Sequence, residues 1–219
     1  MDPILDEVEA RIVGCLIEKE STTPEAYPLT LNALTRACNQ KSNRNPVVSF
    51  DEKAVVRTLD ELSFNRKLVR RVISDDSRVS KYRHIFDEAF SLGREEVAVL
   101  CVLMLRGPQT VGEIRGRTER LHTFENLEAV ETVLQGLMER EEIPLVTRLP
   151  RQPGTKEARY AHLLSGEVQQ EMPELLEPAA IEIRAENERI ADLEREMESL
   201  RAELQELKGT FAEFRKQFE

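Results

Sequence analysis

Ala54–Val55–Val56–Arg57–Thr58–Leu59–Asp60–Glu61–Leu62 has a counterpart seventy-five residues on, Ala129–Val130–Glu131–Thr132–Val133–Leu134–Gln135–Gly136–Leu137. Val55, Leu59 and Leu62 in the first, and Val130, Leu134 and Leu137 in the second, fall on one face of a helix. Working outward from this pair, further matches keep the same order. Glu9–Ala10–Arg11–Ile12–Val13–Gly14–Cys15–Leu16–Ile17 parallels Glu96–Val97–Ala98–Val99–Leu100–Cys101–Val102–Leu103–Met104. Leu31–Asn32–Ala33–Leu34 parallels Val111–Gly112–Glu113–Ile114, and Tyr82–Arg83–His84 parallels Tyr160–Ala161–His162. Chance supplies any one such match easily; a series in fixed order points to a duplicated architecture.

Each copy reads as three helices and a β-hairpin. In the first, Ile4, Val8, Ile12, Cys15 and Leu16 predict a helix over about 4–19, followed by a polar connection carrying Pro24 and Pro28. A short helix over about 29–39 has Thr30 as a candidate cap. Ser49–Phe50–Asp51–Glu52 fits a capping box that starts a third helix running to about 65. Two β-prone segments, 68–73 and 80–86, then flank the turn Ser74–Asp75–Asp76–Ser77. The second copy predicts helices at about 93–106, 110–118 and 126–140 and a hairpin around Gln152–Pro153–Gly154–Thr155. Three helices and a hairpin in that order predict a winged helix. The expected fold is mainly α with small β-hairpins (α+β): two tandem winged-helix domains, 1–90 and 91–165, a linker over 166–178, and a C-terminal coiled-coil helix over 179–219.

The coiled coil rests on a second periodicity. Ile183, Ile190, Met197, Leu204, Phe211 and Phe218 are seven apart, with Leu193, Leu200, Leu207 and Phe214 between them and Glu186 the one polar d position. In a parallel pair, Arg189 would face Glu194, Glu196 would face Arg201 and Glu203 would face Lys208, opposite in sign each time. A parallel homodimer through 179–219 is therefore expected; a helix folded back on its own domains is the alternative.

Several stretches resemble the YceH-like family of uncharacterised bacterial proteins. They are Gly14–Cys15–Leu16–Ile17–Glu18–Lys19–Glu20, Thr22–Thr23–Pro24–Glu25–Ala26–Tyr27–Pro28–Leu29, and the Asn-rich run Ala37–Cys38–Asn39–Gln40–Lys41–Ser42–Asn43–Arg44. Lys81–Tyr82–Arg83–His84, Arg106–Gly107–Pro108–Gln109–Thr110–Val111–Gly112–Glu113 and Arg117–Thr118–Glu119–Arg120–Leu121–His122 continue it, so it covers about residues 4–165. The resemblance implies tandem winged helices and no particular activity.

Charged residues make up 33% of the chain, above the roughly one quarter of an average soluble protein. Their balance is uneven. Residues 1–90 hold 14 basic and 15 acidic side chains, residues 91–165 hold 10 and 11, and residues 166–219 hold 7 and 15. The acidic total thus belongs to the last quarter and leaves both predicted domains near neutral. Asp2, Asp6, Glu7 and Glu9 stand where a secretory signal would be basic, and the longest apolar run, Val97–Leu105, is too short to span a bilayer. Three scattered cysteines suit a reducing compartment, so a cytoplasmic protein without membrane partners is expected.

The densest functional signal lies between Arg36 and Arg83, which holds twelve basic residues against six acidic ones. In a winged helix the third helix commonly enters the major groove while the turn before it and the wing grip phosphates. The candidate nucleic-acid contacts are accordingly Asn39, Gln40, Lys41, Asn43 and Arg44 in the turn, Lys53 and Arg57 on the helix, and Arg78, Lys81 and Arg83 on the wing. Asn and Gln suit adenine edges and Arg suits guanine; the same residues are also ordinary loop composition, with Asn39 able simply to close the second helix. The third helix of the second copy exposes Glu128, Glu131, Gln135 and Glu139, the wrong sign for phosphates. The candidate dimer contacts are Ile183, Ile190, Leu193, Met197, Leu200, Leu204, Leu207, Phe211 and Phe214.

Tyr82 with His84, and Tyr160 with His162, are expected to pack against their domains, and Cys15 and Cys101 to lie in the core. There is no metal-ligand spacing, no glycine-rich phosphate loop, no G-x-S-x-G and no H-E-x-x-H. No metal, cofactor or catalysis is expected. The leading expectation is a dimeric DNA-binding protein, such as a transcription regulator; the alternative is a non-catalytic module that docks a protein partner.

Overall fold

The computed structural model describes residues 4–73, 79–151 and 157–166. The chain divides into two units, Met1–Val168 and Gln169–Glu219, and every described residue belongs to the first. The proposed seam residues from Ile183 to Phe214, and Arg78, lie outside the described residues. The described part is mixed α and β, with seven α-helices and two small antiparallel sheets.

The first half opens with α1, Glu7–Thr22. It starts three residues later than the apolar pattern suggests, because Asp6 caps it: the Asp6 carboxylate accepts from the Glu9 amide and the Glu9 carboxylate accepts from the Asp6 amide, both at 2.7 Å. Pro24 blocks its continuation and sits in a single 3-10 turn, Pro24–Ala26. Leu29 and Thr30, expected as the start of the second helix, instead form a two-residue strand, β1. Thr30 still caps α2 (Leu31–Cys38), its hydroxyl accepting from the Ala33 amide at 3.3 Å. The third helix, α3, spans Glu52–Phe64 and is capped by Asp51 rather than Ser49; the Asp51 carboxylate accepts from the Ala54 amide at 2.7 Å. As expected, Val55, Leu59 and Leu62 are buried.

Strands β2 (Val69–Val72) and β3 (Lys81–His84) form the expected hairpin, and β1 adds to its free edge in the order β1-β3-β2. Leu29 stands opposite Tyr82, and Arg70 opposite Arg83. A short helix unseen in the periodicity, α4 (Phe86–Phe90), closes the half, with Phe86 fully buried.

The second half repeats the order with α5 (Arg94–Arg106), α6 (Val111–Thr118), α7 (Leu127–Met138), β4 (Val146–Arg148) and β5 (Tyr160–His162). Where the first half has β1, the second has a single antiparallel bridge between Gln109 and Tyr160, whose backbones exchange hydrogen bonds of 3.0 and 2.7 Å.

The halves share one hydrophobic core, running from Leu5 to Leu164. Its centre is the crossing of α1 and α5. Every residue from Glu9 to Ile17 on α1 and from Ala98 to Leu105 on α5 is buried, so both helices are covered all round and not along one stripe. Gly14 makes the crossing possible: a Cβ there would stand 2.9 Å from Leu105 Cδ2 and 3.0 Å from its Cγ. The Cys101 thiol reaches the Gly14 carbonyl at 3.4 Å. The Leu5 amide donates to the Leu164 carbonyl at 2.8 Å, bringing the two ends of the described chain together.

Candidate nucleic-acid interface

The polar turn between α2 and α3 was expected to offer its side chains outward; Lys41, Ser42 and Asn43 are exposed, Asn39 and Gln40 are half-buried, and Arg44 is buried. Asn39 closes on Phe50 in both directions, its amide nitrogen donating to the Phe50 carbonyl and its oxygen accepting from the Phe50 amide, each at 2.8 Å. Arg44 is buried: its guanidinium binds the Glu18 carboxylate at 2.6 and 3.0 Å and donates to the carbonyls of Ala37 and Asn43 and to the Gln40 side chain. Burial alone would pull its pKa down, but the Glu18 carboxylate outweighs that and holds it above the ordinary arginine value. Asn43, at a φ of 60°, accepts from Arg106 of the second half. Asn39, Gln40, Asn43 and Arg44 thus each make an internal side-chain bond that helps to hold the turn, with Arg44 buried and Asn43 exposed.

Two further ties fix that turn to α1 and α5. Arg11, buried on α1, donates to the Pro46 carbonyl at 2.7 Å, and the Asn45 amide donates to the Leu105 carbonyl at 2.9 Å. Neither followed from composition, because an arginine inside an apolar helix gives no sign of which distant carbonyl it will meet.

The remaining candidates stay accessible. Lys41 is exposed at the turn, and Lys53 and Arg57 are exposed one helical turn apart on the outer face of α3. None of the three takes part in an ion pair among the described residues. The neighbouring acids keep their charge while bonding to neutral donors: Asp51 caps the helix, Glu52 accepts from Asn32 at 3.4 Å and Glu61 from Asn65 at 2.7 Å. On the hairpin, residues that stand opposite one another share a face. Arg70, Arg83 and Lys81 therefore occupy one face of the sheet, and Val69, Tyr82 and His84 the other. Arg83 reaches Glu88 at 3.3 Å, a pair exposed on both sides. Arg70, absent from the expected contacts, is exposed and directly opposite Arg83, where like charges repel.

The outer face of α3 is not purely basic. Val56 is 37% and Phe64 75% exposed. On α7 and its C-cap, Glu128, Glu131, Gln135 and Glu139 are exposed as expected, and Leu127 is 48% exposed at the first position of the helix.

The histidines of the two hairpins differ. His84 is buried with its Nε2 2.7 Å from a Glu20 oxygen and its Nδ1 3.5 Å from an Asp87 oxygen. Its backbone amide donates to the Tyr27 hydroxyl at 2.8 Å, and burial pushes that hydroxyl's pKa up. His162 has a buried Nδ1 without a hydrogen-bond partner, and desolvation lowers its pKa to about 4. Cys15, Cys38 and Cys101 are buried free thiols. Among the described residues no group of three or more His, Cys, Asp or Glu is placed to hold a metal ion, and no helix is long and apolar enough to cross a membrane.

A family model described as a protein of unknown function, DUF480, matches residues 5–155. The UPF0502 protein of Pelobacter propionicus is 53% identical over 222 residues, and that of Geotalea uraniireducens 55% identical over 222, both covering 100% of each chain. The UPF0502 protein of Opitutus terrae is 57% identical over 166 residues, 76% of this chain and 72% of its own. On a match over most of its described length, and on relatives of more than half identity from end to end, the chain belongs to the DUF480 family of bacterial UPF0502 proteins.

Proposed function

We propose that each half is a winged helix of the YceH-like kind and that the first half binds DNA, mainly through phosphates. The helix order and the third strand on each hairpin edge (β1 in the first half, the Gln109 bridge in the second) support the winged-helix part. The observation that carries the binding part is exposed positive charge: Lys53 and Arg57 on α3, which take part in no ion pair among the described residues, and Arg70 set opposite Arg83, itself paired with Glu88, beside Lys81 on one sheet face. A polyanion would relieve that repulsion. The reading is of a binding protein, such as a transcription regulator, and not of an enzyme. Residues 179–219 would pair two copies in parallel on a roughly symmetric site.

The test is a salt series of duplex binding by the full chain. Affinity should fall steeply with salt, and the Lys53→Ala, Arg57→Ala, Arg70→Ala triple variant should flatten the slope by roughly one unit per contact removed. Salt-independent binding, or an undiminished variant, would remove the assignment. Val56 and Phe64 favour a second reading, a module that docks a protein partner through α3. That description takes over if no duplex binds.

A further inference from the structure

Beside the α1–α5 crossing lies a cavity of about 450 Å³, within the size range of small-molecule sites. It is lined by both halves. Leu121, half-buried, together with the edges of Val102 and Leu105 of α5, gives it an apolar side. Around them stand four cations: Lys19 of α1, Arg106 at the end of α5, Arg117 of α6, and Arg120 just beyond it. The carboxylates present do not match them. Glu18 is taken by Arg44 at 2.6 Å, with Lys19 at 3.9 Å, and Glu119 is the other one lining the cavity. Arg117 shares Glu113, at 3.2 Å, with Arg159, at 3.5 Å, and donates to the neutral Gln109 side chain. Arg106 rests on the neutral oxygen of Asn43. Arg120 takes part in no ion pair among the described residues. Burial, and then the nearby Arg117, push the Arg106 pKa below its ordinary value, a sign of crowded like charge.

A surface that only tracked a nucleic-acid backbone would need no apolar recess behind its arginines. We propose that this cavity binds a phosphorylated small molecule with an apolar body, its phosphate held by Arg106, Arg117 and Arg120 and its body against Leu121 and the edges of Val102 and Leu105. The guanidinium fork suits phosphate oxygens. Such a ligand would clamp the 40–43 turn of the first half to the end of α6 in the second. The inference does not depend on the DNA reading, since none of these residues is among the contacts proposed there.

The experiment is calorimetric titration of the full chain with phenyl phosphate, inorganic phosphate and benzoate at constant ionic strength. Phenyl phosphate should saturate a single site and bind more tightly than either fragment. Arg120→Ala, and Arg106→Gln, which keeps a donor for Asn43, should each weaken it about tenfold or more, with unaltered melting as evidence of intact folding. Arg148→Ala, outside the cavity, should bind normally. No saturation at millimolar phenyl phosphate, equal binding of benzoate, or equal loss in Arg148→Ala would each overturn the proposal.

Discussion

His84 and His162 occupy matching places in the two hairpins and meet opposite surroundings. His84 has carboxylate oxygens beside both ring nitrogens; His162 has a buried nitrogen without a hydrogen-bond partner. Desolvation favours the neutral ring of His162 and lowers its pKa from 6.5 to about 4. Between those values the unfolded chain binds a proton that the folded chain refuses, so folding stability contributed by this residue is complete above pH 6.5 and falls as the pH drops toward 4. Denaturant melts of the native chain and of His162→Gln across that window should show a shallower pH slope in the variant; parallel slopes would contradict the assignment. The residue scale is also where the sequence was least readable. Asn39, Gln40, Asn43 and Arg44 have the composition of an exposed reading loop. Their partners are a carbonyl at Phe50, a carboxylate at Glu18 and a guanidinium at Arg106, which no local pattern encodes. The exposure of Lys53 and Arg57 was legible because helical periodicity places them opposite a buried stripe.

At the scale of elements the periodicities served well, and the boundaries moved for identifiable reasons. Ser49 and Glu52 have capping-box spacing, yet Asp51 is an equally good cap that lies closer to the helix it starts. The strand β1 is two residues long and exists only through pairing with β3, and α4 is a single short turn of helix; neither has length enough to produce a repeat in hydrophobicity. The crossing of α1 with α5 was half visible, in the apolar run Val97–Leu105 and in the matching Gly14 stretch, but its intimacy was not. Val at position 14 would drive three added carbons into Leu105 and Met104. Overpacking of this kind typically costs about 1–3 kcal/mol. Gly14→Val should lower the midpoint of a single cooperative unfolding transition seen by calorimetry. Two separated transitions would mean that the halves hold together independently of the crossing.

At the scale of the molecule, an a/d seam over residues 179–219 is a sequence pattern, and it predicts association directly. Sedimentation of the full chain should give twice the monomer mass, and removal of residues 179–219 should halve it; a truncated chain that stays dimeric would place the main interface elsewhere. The duplicated architecture was legible from four aligned stretches, and the two copies recur in the structure with the same element order. What duplication alone could not convey is that the copies share one interior. Tandem modules joined by a tether can swivel to suit differently spaced targets. With Gly14 set against Leu105 and one core between them, the first copy is keyed to the second like two gears locked at one tooth, with no tether between them on which to swivel. On the binding reading proposed above, a target would have to bring its own geometry to match, and one whose contact points are spaced otherwise would be met by one copy alone.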